Sequence, residues 1–150
     1  MVVAIIGVIA VIGPRLFTGM YQFFSQSSAR TEIQRDLRVA LDQMNRTIRQ
    51  ASAATVNVSQ DTGQLPYSKI SFTTVDGTAV SYKQSGRKLI QVSGTSQKTL
   101  VDNVEYLAFT YPQTDINTVV SISFTLQKKT FSGRSTALQM AITKVRVMNP

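Results

Sequence analysis

The first fifty residues constrain this chain more than any other stretch, because a wholly apolar segment leads into an amphipathic one. Residues 1–12 read MVVAIIGVIAVI and carry no charged or strongly polar side chain. After Gly13, Pro14 and Arg15, a second apolar and aromatic run covers residues 16–24. A helix that is apolar on every side needs lipid or other protein around it. The sequence therefore predicts that the chain is anchored through its N-terminal residues.

The length of this stretch favours a membrane segment. A bilayer core of about 30 Å takes about 20 apolar residues in a helix. Residues 1–12 are too short by themselves, and extension to Phe24 places Arg15 inside the span. A charge at the bilayer centre costs roughly 2.5–3.5 kcal/mol on insertion scales. We therefore expect a few apolar residues to precede Met1 in the natural protein, so that Arg15 lies at the membrane edge.

Two other interpretations of the stretch stay open: a secretory signal peptide and a buried core helix. A signal peptide has basic residues before its apolar core and a small-residue cleavage site after it. Nothing basic precedes the apolar run here, and no such site lies before Arg15. Residues 25–29 offer a cleavage region, but a helical pattern resumes directly after them.

Glycine and proline residues interrupt the apolar run. A proline in a helix interior costs about 3 kcal/mol, although membrane helices tolerate it better. Gly7, Gly13 and Pro14 together predict a kink or a locally melted stretch.

An amphipathic helix is predicted from Ala29 to Ala51. Its apolar positions recur at steps of three and four residues, which places them on one stripe. The helix-to-sheet packing residues are predicted to be Ile33, Leu37, Leu41, Met44 and Ile48. The pairs Glu32–Arg35, Arg38–Asp42 and Asp42–Arg46 have the spacing of helical ion pairs.

After Ala51 the apolar pattern changes to a period of two, which is typical of strands with one buried face. Strands are predicted at 55–58, 69–75, 79–82, 88–92, 101–111, 119–128 and 138–147, with residues 93–96 as loop. Asp76-Gly77 predicts a hairpin turn. In the last strand, Leu138, Met140 and Ile142 are expected on the buried face.

The expected fold class is therefore α+β: a long N-terminal helix whose amphipathic half packs on an antiparallel sheet. The predicted segments are 1–24 as the projecting helix half, 25–52 as the amphipathic half, and 53–150 as the sheet head.

Composition limits the chemistry that the head can perform. The chain has no cysteine and no histidine, which excludes disulfides, thiolate metal sites and His-based triads. The acidic residues of the head, Asp61, Asp76, Asp102, Glu105 and Asp115, are scattered and lack the spacing of a calcium loop. We expect no enzymatic activity, no cofactor and no metal.

The net charge of +8 allows attraction to anionic lipid, nucleic acid or an acidic protein. A stacking platform for single-stranded nucleic acid would combine exposed aromatics with cations. The candidates are Tyr82, Tyr106, Phe109 and Tyr111 beside Lys83, Arg87 and Lys88. The alternating positions of the aromatics favour packing within the sheet instead, so contact with DNA is the weaker hypothesis.

The segment VVAIIGVIAVIGPRL, residues 2–16, resembles the N-terminal segment of type IV pilins and type II secretion pseudopilins. Ala4-Ile5-Ile6-Gly7 and Pro14 fall at or within one residue of that family's spacing. The basic leader, the cleavage site and the family's glutamate lie upstream of where the match begins. The strand pattern from Val104 to Tyr111, and an ending of the V-R-V-x-N kind at residues 145–149, look like the heads of minor pilins. The order of strands is most similar to J-type pseudopilins and W-type minor pilins.

The resemblance implies a minor subunit that helps initiate or cap a pilus-like or secretion filament. Its partners would be other pilin or pseudopilin subunits, the inner-membrane assembly platform and membrane lipid. It implies a single-pass inner-membrane protein with its head in the periplasm or outside the cell. The filament-packing residues would be Val2, Val3, Ile5, Ile6, Gly7, Val8, Ile9, Val11, Ile12 and Pro14. The rival hypotheses are an anchored module that binds DNA or a cell-surface polymer without polymerising, and an anchored enzyme.

Overall fold

The computed structural model describes residues 2–113, 118–130 and 136–149, with side chains described from residue 13 onward. These residues form one long helix, a short 3-10 helix and eight strands in two antiparallel sheets. The architecture is α+β, which confirms the predicted fold class at that level.

The elements follow one another along the chain. They are α1 (Val2–Arg49), a 3-10 helix (Ala53–Thr55), β1 (Asn57–Ser59), β2 (Lys69–Thr73), β3 (Ala79–Ser85), β4 (Lys88–Ser93), β5 (Ser96–Asp102), β6 (Val104–Thr110), β7 (Val119–Lys129) and β8 (Thr136–Arg146). The first sheet has the order β1-β2-β3-β4-β5, and the second has the order β6-β7-β8. Each strand pairs with its sequence neighbour, so both sheets are meanders.

The core lies between α1 and the inner faces of the sheets. Each residue of the predicted helix stripe, Ile33, Leu37, Leu41, Met44 and Ile48, is buried. The helix contacts β8 most extensively, and also β7 and β5. From the sheets the core includes Tyr82, Leu107, Phe109, Ile122, Phe124 and Leu126. Burial of a side chain of this size contributes about 1.5–3 kcal/mol, so this layer supplies most of the stabilisation.

The C-terminal end of the chain fastens the end of α1. The Met148 amide donates to the Arg49 carbonyl at 3.2 Å, and the Ala53 amide donates to the Asn149 carbonyl at 2.9 Å. The last turn of the helix carries the cations Arg46 and Arg49, which interact favourably with its negative dipole end.

The hairpin turn predicted at Asp76-Gly77 is confirmed. Gly77 has a φ of 77°, a conformation that glycine adopts without strain. The Gly77 amide donates to the Thr74 carbonyl at 2.9 Å, which closes the turn between β2 and β3.

Three strand predictions are corrected. The segment 93–96 is a tight turn rather than a loop, because Ser93 pairs with Ser96 and β5 starts there. The predicted strand 101–111 is two strands, which Asn103 separates with a φ of 65°. The strand predicted at 55–58 begins only at Asn57, after the 3-10 helix. Most residues of β5 are polar and exposed, so this edge strand carries no apolar alternation.

The facing predicted for the last strand is wrong. Leu138, Met140 and Ile142 are exposed on the outer face of the second sheet, whereas Ala137 and Val145 are buried on the inner face. The reason is that α1 packs on the face that carries Ala137, Ala141 and Val145, so the larger apolar side chains lie on the opposite face. Periodicity identifies the two faces of a strand but does not say which one the helix covers.

Candidate assembly surface

Helix α1 divides at Ala29 into a projecting part and a packed part. Its 48 residues correspond to a length of about 72 Å, which exceeds what a head of this size can cover. From Ala29 onward one stripe of side chains is buried by the sheets. Between residue 13 and Ala29 the large apolar side chains are exposed, and Phe17 reaches 75%. The exposed set is Leu16, Phe17, Met20, Tyr21, Phe23 and Phe24.

The projecting part is helical through Pro14, so the predicted local melting is absent from this structure. Thr18 Oγ1 donates to the Pro14 carbonyl at 2.7 Å and also contacts the Arg15 carbonyl oxygen at 3.1 Å. A proline removes one backbone donor, and the adjoining turns keep their own hydrogen bonds. The helix therefore continues past this residue.

A shallow groove of about 430 Å³ runs along one side of the projecting part. It is lined by Arg15, Leu16, Gly19, Met20, Phe23 and Phe24. These positions repeat every four residues in adjacent pairs, which makes one continuous helix face. Gly19 has no side chain, which leaves a notch in this face, and the space beside it is open. A small residue at such a position lets a second helix approach closely.

Most of the residues predicted to pack in a membrane or filament lie outside the part whose side chains are described. They are Val2, Val3, Ile5, Ile6, Gly7, Val8, Ile9, Val11 and Ile12. Pro14, the remaining member of that set, is exposed. Over the described residues, α1 does not contain a window that is both long enough and apolar enough to cross a bilayer.

Polar contacts mark the place where the head begins to cover the helix. Lys128 of β7 forms an ion pair with Glu32, and Gln34 Nε2 donates to Gln139 Oε1 at 3.3 Å. Glu32 thus pairs across to the sheet, instead of with Arg35 as the helical spacing predicts. The predicted pair of Asp42 and Arg46 is present. Arg35 contacts its neighbour Asp36 at 3.3 Å.

The cations proposed to contact nucleic acid each have a carboxylate beside them. Lys83 lies 2.9 Å from Asp61, Arg87 lies 3.5 Å from Glu105, and Lys88 lies 3.7 Å from Asp102. The hydrogen bond from Lys83, with the positive charges of Lys83 and Lys69, holds the pKa of Asp61 below its ordinary value. The three cations are thus locally neutralised, which weakens their attraction for phosphate.

The proposed aromatic platform is also divided between the core and the surface. Tyr82 and Phe109 are completely buried, and burial raises the pKa of the Tyr82 hydroxyl. Tyr111 donates its hydroxyl to the Val56 carbonyl at 3.1 Å. Only Tyr106 among the four is largely exposed. These side chains therefore offer no continuous stacking surface.

The carboxylates of the head do not converge. Asp61, Asp102 and Glu105 pair with separate cations, Asp76 lies in the β2–β3 turn, and Asp115 lies outside the described residues. Among the residues described, no three acidic side chains come together as a metal site would require.

The sequence matches none of the models of known protein families. A comparison with curated proteins likewise gives no relative. The features of the molecule that bear on its function are the two parts of α1 and the surfaces of the head.

Proposed function

We propose that the protein is a minor pilin-like subunit that helps initiate or cap a filament of the type IV pilus or type II secretion kind. The observation that carries the proposal is the division of α1. One helix is buried by its own head from Ala29 onward, yet presents exposed aromatic and aliphatic side chains before it. Water does not favour such a surface, so it needs partners outside this chain.

The assembly mechanism follows from the environment of that helix part. Before assembly, the apolar N-terminal half lies in the inner membrane, with the head on the periplasmic or outer side. On assembly, the same half packs against the corresponding helices of other subunits. Lipid contacts are exchanged for helix contacts at little net hydrophobic cost, so small differences in packing decide the direction.

The groove around Gly19 supports helix-to-helix packing in particular. A lipid chain requires no notch, whereas a neighbouring helix gains van der Waals contact where a glycine lets the backbones approach. Phe23 and Phe24 lie at the end of the groove nearest to the head. We propose that a pilin or pseudopilin helix occupies this groove.

The resemblance of residues 2–16 to pilin N-termini supports the same proposal, since it concerns the helix half that would form the filament core. The antiparallel sheet that follows the helix is compatible with a pilin-like head. The inner-membrane assembly platform would then be a transient partner.

The proposal is tested by cross-linking from single cysteines, which are unambiguous because the chain has no cysteine of its own. The full chain carries Phe17→Cys in its source cells, and a reagent coupled to the thiol reacts with neighbouring chains on illumination. Val39→Cys is the matched control, because Val39 is also exposed on α1 but lies in the packed part. We expect Phe17→Cys to give adducts with pilin-like chains, and Val39→Cys to give few or none.

A second variant separates filament packing from simple anchoring. Gly19→Leu fills the notch without touching the head, so it should lower the adduct yield from Phe17→Cys several-fold while the head stays folded. Adducts with lipid alone would contradict the proposal and favour an anchored binding module that does not polymerise.

A further inference from the structure

Strand β8 turns its large apolar side chains away from the core of its own domain. Leu138, Met140 and Ile142 are 57%, 60% and 62% exposed. They are consecutive members of the outer face of this strand and form one ridge about 13 Å long at 3.3 Å per residue. We call these three side chains the β8 ridge. Neighbouring large apolar side chains on the outside of a sheet are a candidate interaction surface.

The second sheet forms a trough beside the ridge. On β7 the outward residues opposite Ile142, Met140 and Leu138 are Ser123, Thr125 and Gln127, and on β6 the outward residue beside Ser123 is Ala108. Ser123, Thr125 and Ala108 are short, so Met140 and Ile142 stand above their neighbours, whereas Leu138 lies beside the longer Gln127. Tyr106 of β6 is exposed on the far side of the trough.

The same strand is an edge of its sheet. β8 pairs with β7 on one side, and in the described part of the chain no strand pairs with its other side. A sheet edge offers unpaired amide and carbonyl groups that a further strand can use. A strand added there would place alternate side chains beside the β8 ridge. Strand β8 therefore offers a partner both unpaired backbone groups, at its edge, and apolar side chains, in the β8 ridge.

Positive charge continues the ridge at one end. Lys144 and Arg146 follow Ile142 on the same outward face, and neither has an ion-pair partner among the described residues. A complementary occupant carries carboxylates at that end. A second copy of this chain does not fit, because β8 contains no acidic residue and both copies would carry a net charge of +8.

The direction of the strand argues against lipid as the occupant. The beginning of β8 lies near the start of the packed helix part, where Gln139 meets Gln34. The end of β8 adjoins the end of α1, where Met148 bonds to Arg49. Lys144 and Arg146 are therefore at the end of the head far from the projecting helix. A membrane surface would instead attract cations near that helix.

We infer that β8 is a docking strand for a different protein chain. The occupant is an extended apolar segment that adds to the free edge of β8, covers the β8 ridge and places carboxylates against Lys144 and Arg146. This inference does not depend on the filament proposal, since the surface belongs to the head alone. It names a partner by its chemistry: an acidic, strand-forming segment of another protein.

Photo-cross-linking in the source cells tests the inference. The full chain carries the photoreactive amino acid benzoylphenylalanine in place of Leu138 or Ile142. Val75 is the control position, because it is an equally exposed apolar residue in the β2–β3 turn. We expect both ridge positions to yield an adduct with the same protein, at least five-fold above the control. Mass spectrometry should locate the adduct in a segment with apolar residues next to Asp or Glu.

A double charge reversal, Lys144→Glu with Arg146→Glu, provides the second readout. Both side chains are exposed, so the fold should be unchanged by circular dichroism, while the adduct yield should fall at least five-fold. Three results would overturn the inference: adducts no stronger than from Val75, adducts with a second copy of this chain or with lipid, or a yield that the charge reversal leaves unchanged. A docking partner that is not pilin-like would support the inference and leave the filament proposal to the Phe17→Cys cross-linking.

Discussion

Ala137 and Leu138 are neighbours in β8, yet they lie on opposite faces of the second sheet, with exposed fractions of 0% and 57%. The alanine lies on the face of β8 that α1 covers. The larger leucine faces away from the helix. This arrangement lets helix and strand approach closely, and it leaves the apolar ridge on the outside.

Changing the side-chain size at Ala137 and, separately, at Leu138 tests this arrangement. Ala137→Leu should lower the free energy of unfolding by about 1–3 kcal/mol, because extra methylenes in a packed layer displace the helix. Leu138→Ala is the matched control and should change it by less than about 0.5 kcal/mol. Urea unfolding of the full chain in detergent micelles measures both. Equal effects would contradict the assigned facing of β8.

A second pair of substitutions, one buried and one exposed, tests how the packed part of α1 contacts the head. Met44 is completely buried and Val39 is 61% exposed on the same helix. Met44→Ala should lower the free energy of unfolding by about 2–5 kcal/mol, because apolar burial is lost and a cavity is left behind. Val39→Ala should change the free energy of unfolding by less than about 0.5 kcal/mol, since it removes no core contact. Thermal unfolding followed by circular dichroism distinguishes them, and a neutral Met44→Ala would show that the helix does not pack as described.

Acid should remove one electrostatic contribution from the first sheet. The pKa of Asp61 is lowered by the hydrogen bond from Lys83 and by the charges of Lys83 and Lys69. A carboxyl whose folded pKa is depressed stabilises the fold above its unfolded pKa, near 3.8, and the contribution disappears as the pH falls through the folded pKa. Lys83→Met should therefore lower the stability at pH 6 but not at pH 2.

The size of this effect is limited, because Asp61 keeps about a third of its side-chain surface in water. Unfolding midpoints of Lys83→Met and of the unchanged chain, measured between pH 6 and pH 2, provide the test. A difference that stays constant over this range would mean that Lys83 acts through packing rather than through the charge of Asp61.

The boundary between β5 and β6 depends on a left-handed residue. Asn103 has a φ of 65°, and its carbonyl accepts the Gln127 amide at 2.8 Å. Asn103→Val should lower the free energy of unfolding by about 1–2 kcal/mol, because a β-branched residue is strained in this conformation. Asn103→Gly should be close to neutral. Chemical unfolding compares the two variants, and equal stability would contradict the left-handed geometry.

Several features could be predicted from local pattern alone. The stripe from Ile33 to Ile48 repeats at helical spacing and is buried, and the turn at Gly77 follows from a two-residue hairpin signal. The α+β class follows from the change of period after Ala51. Each of these depends on residues that are close together in the chain, so the information is local.

Other features required the assembled molecule. The pairing of Glu32 with Lys128 joins residues 96 positions apart, and no spacing rule anticipates it. The same holds for the pairing of Lys83 with Asp61, which takes that lysine out of the proposed nucleic-acid surface. Polar β5 lacks an alternation signal because it lies at a sheet edge, where neither face needs to be apolar throughout.

The amino-acid order alone thus dictates that the chain has a rod-like apolar start, a two-faced helix and a meander of strands, because period and turn chemistry act within a few residues. The three-dimensional packing settles which face of β8 meets the helix. Two faces with a period of two are equivalent until a neighbouring element selects one of them. Here α1 covers the face that carries Ala137, Ala141 and Val145, and Leu138, Met140 and Ile142 consequently lie on the exposed face.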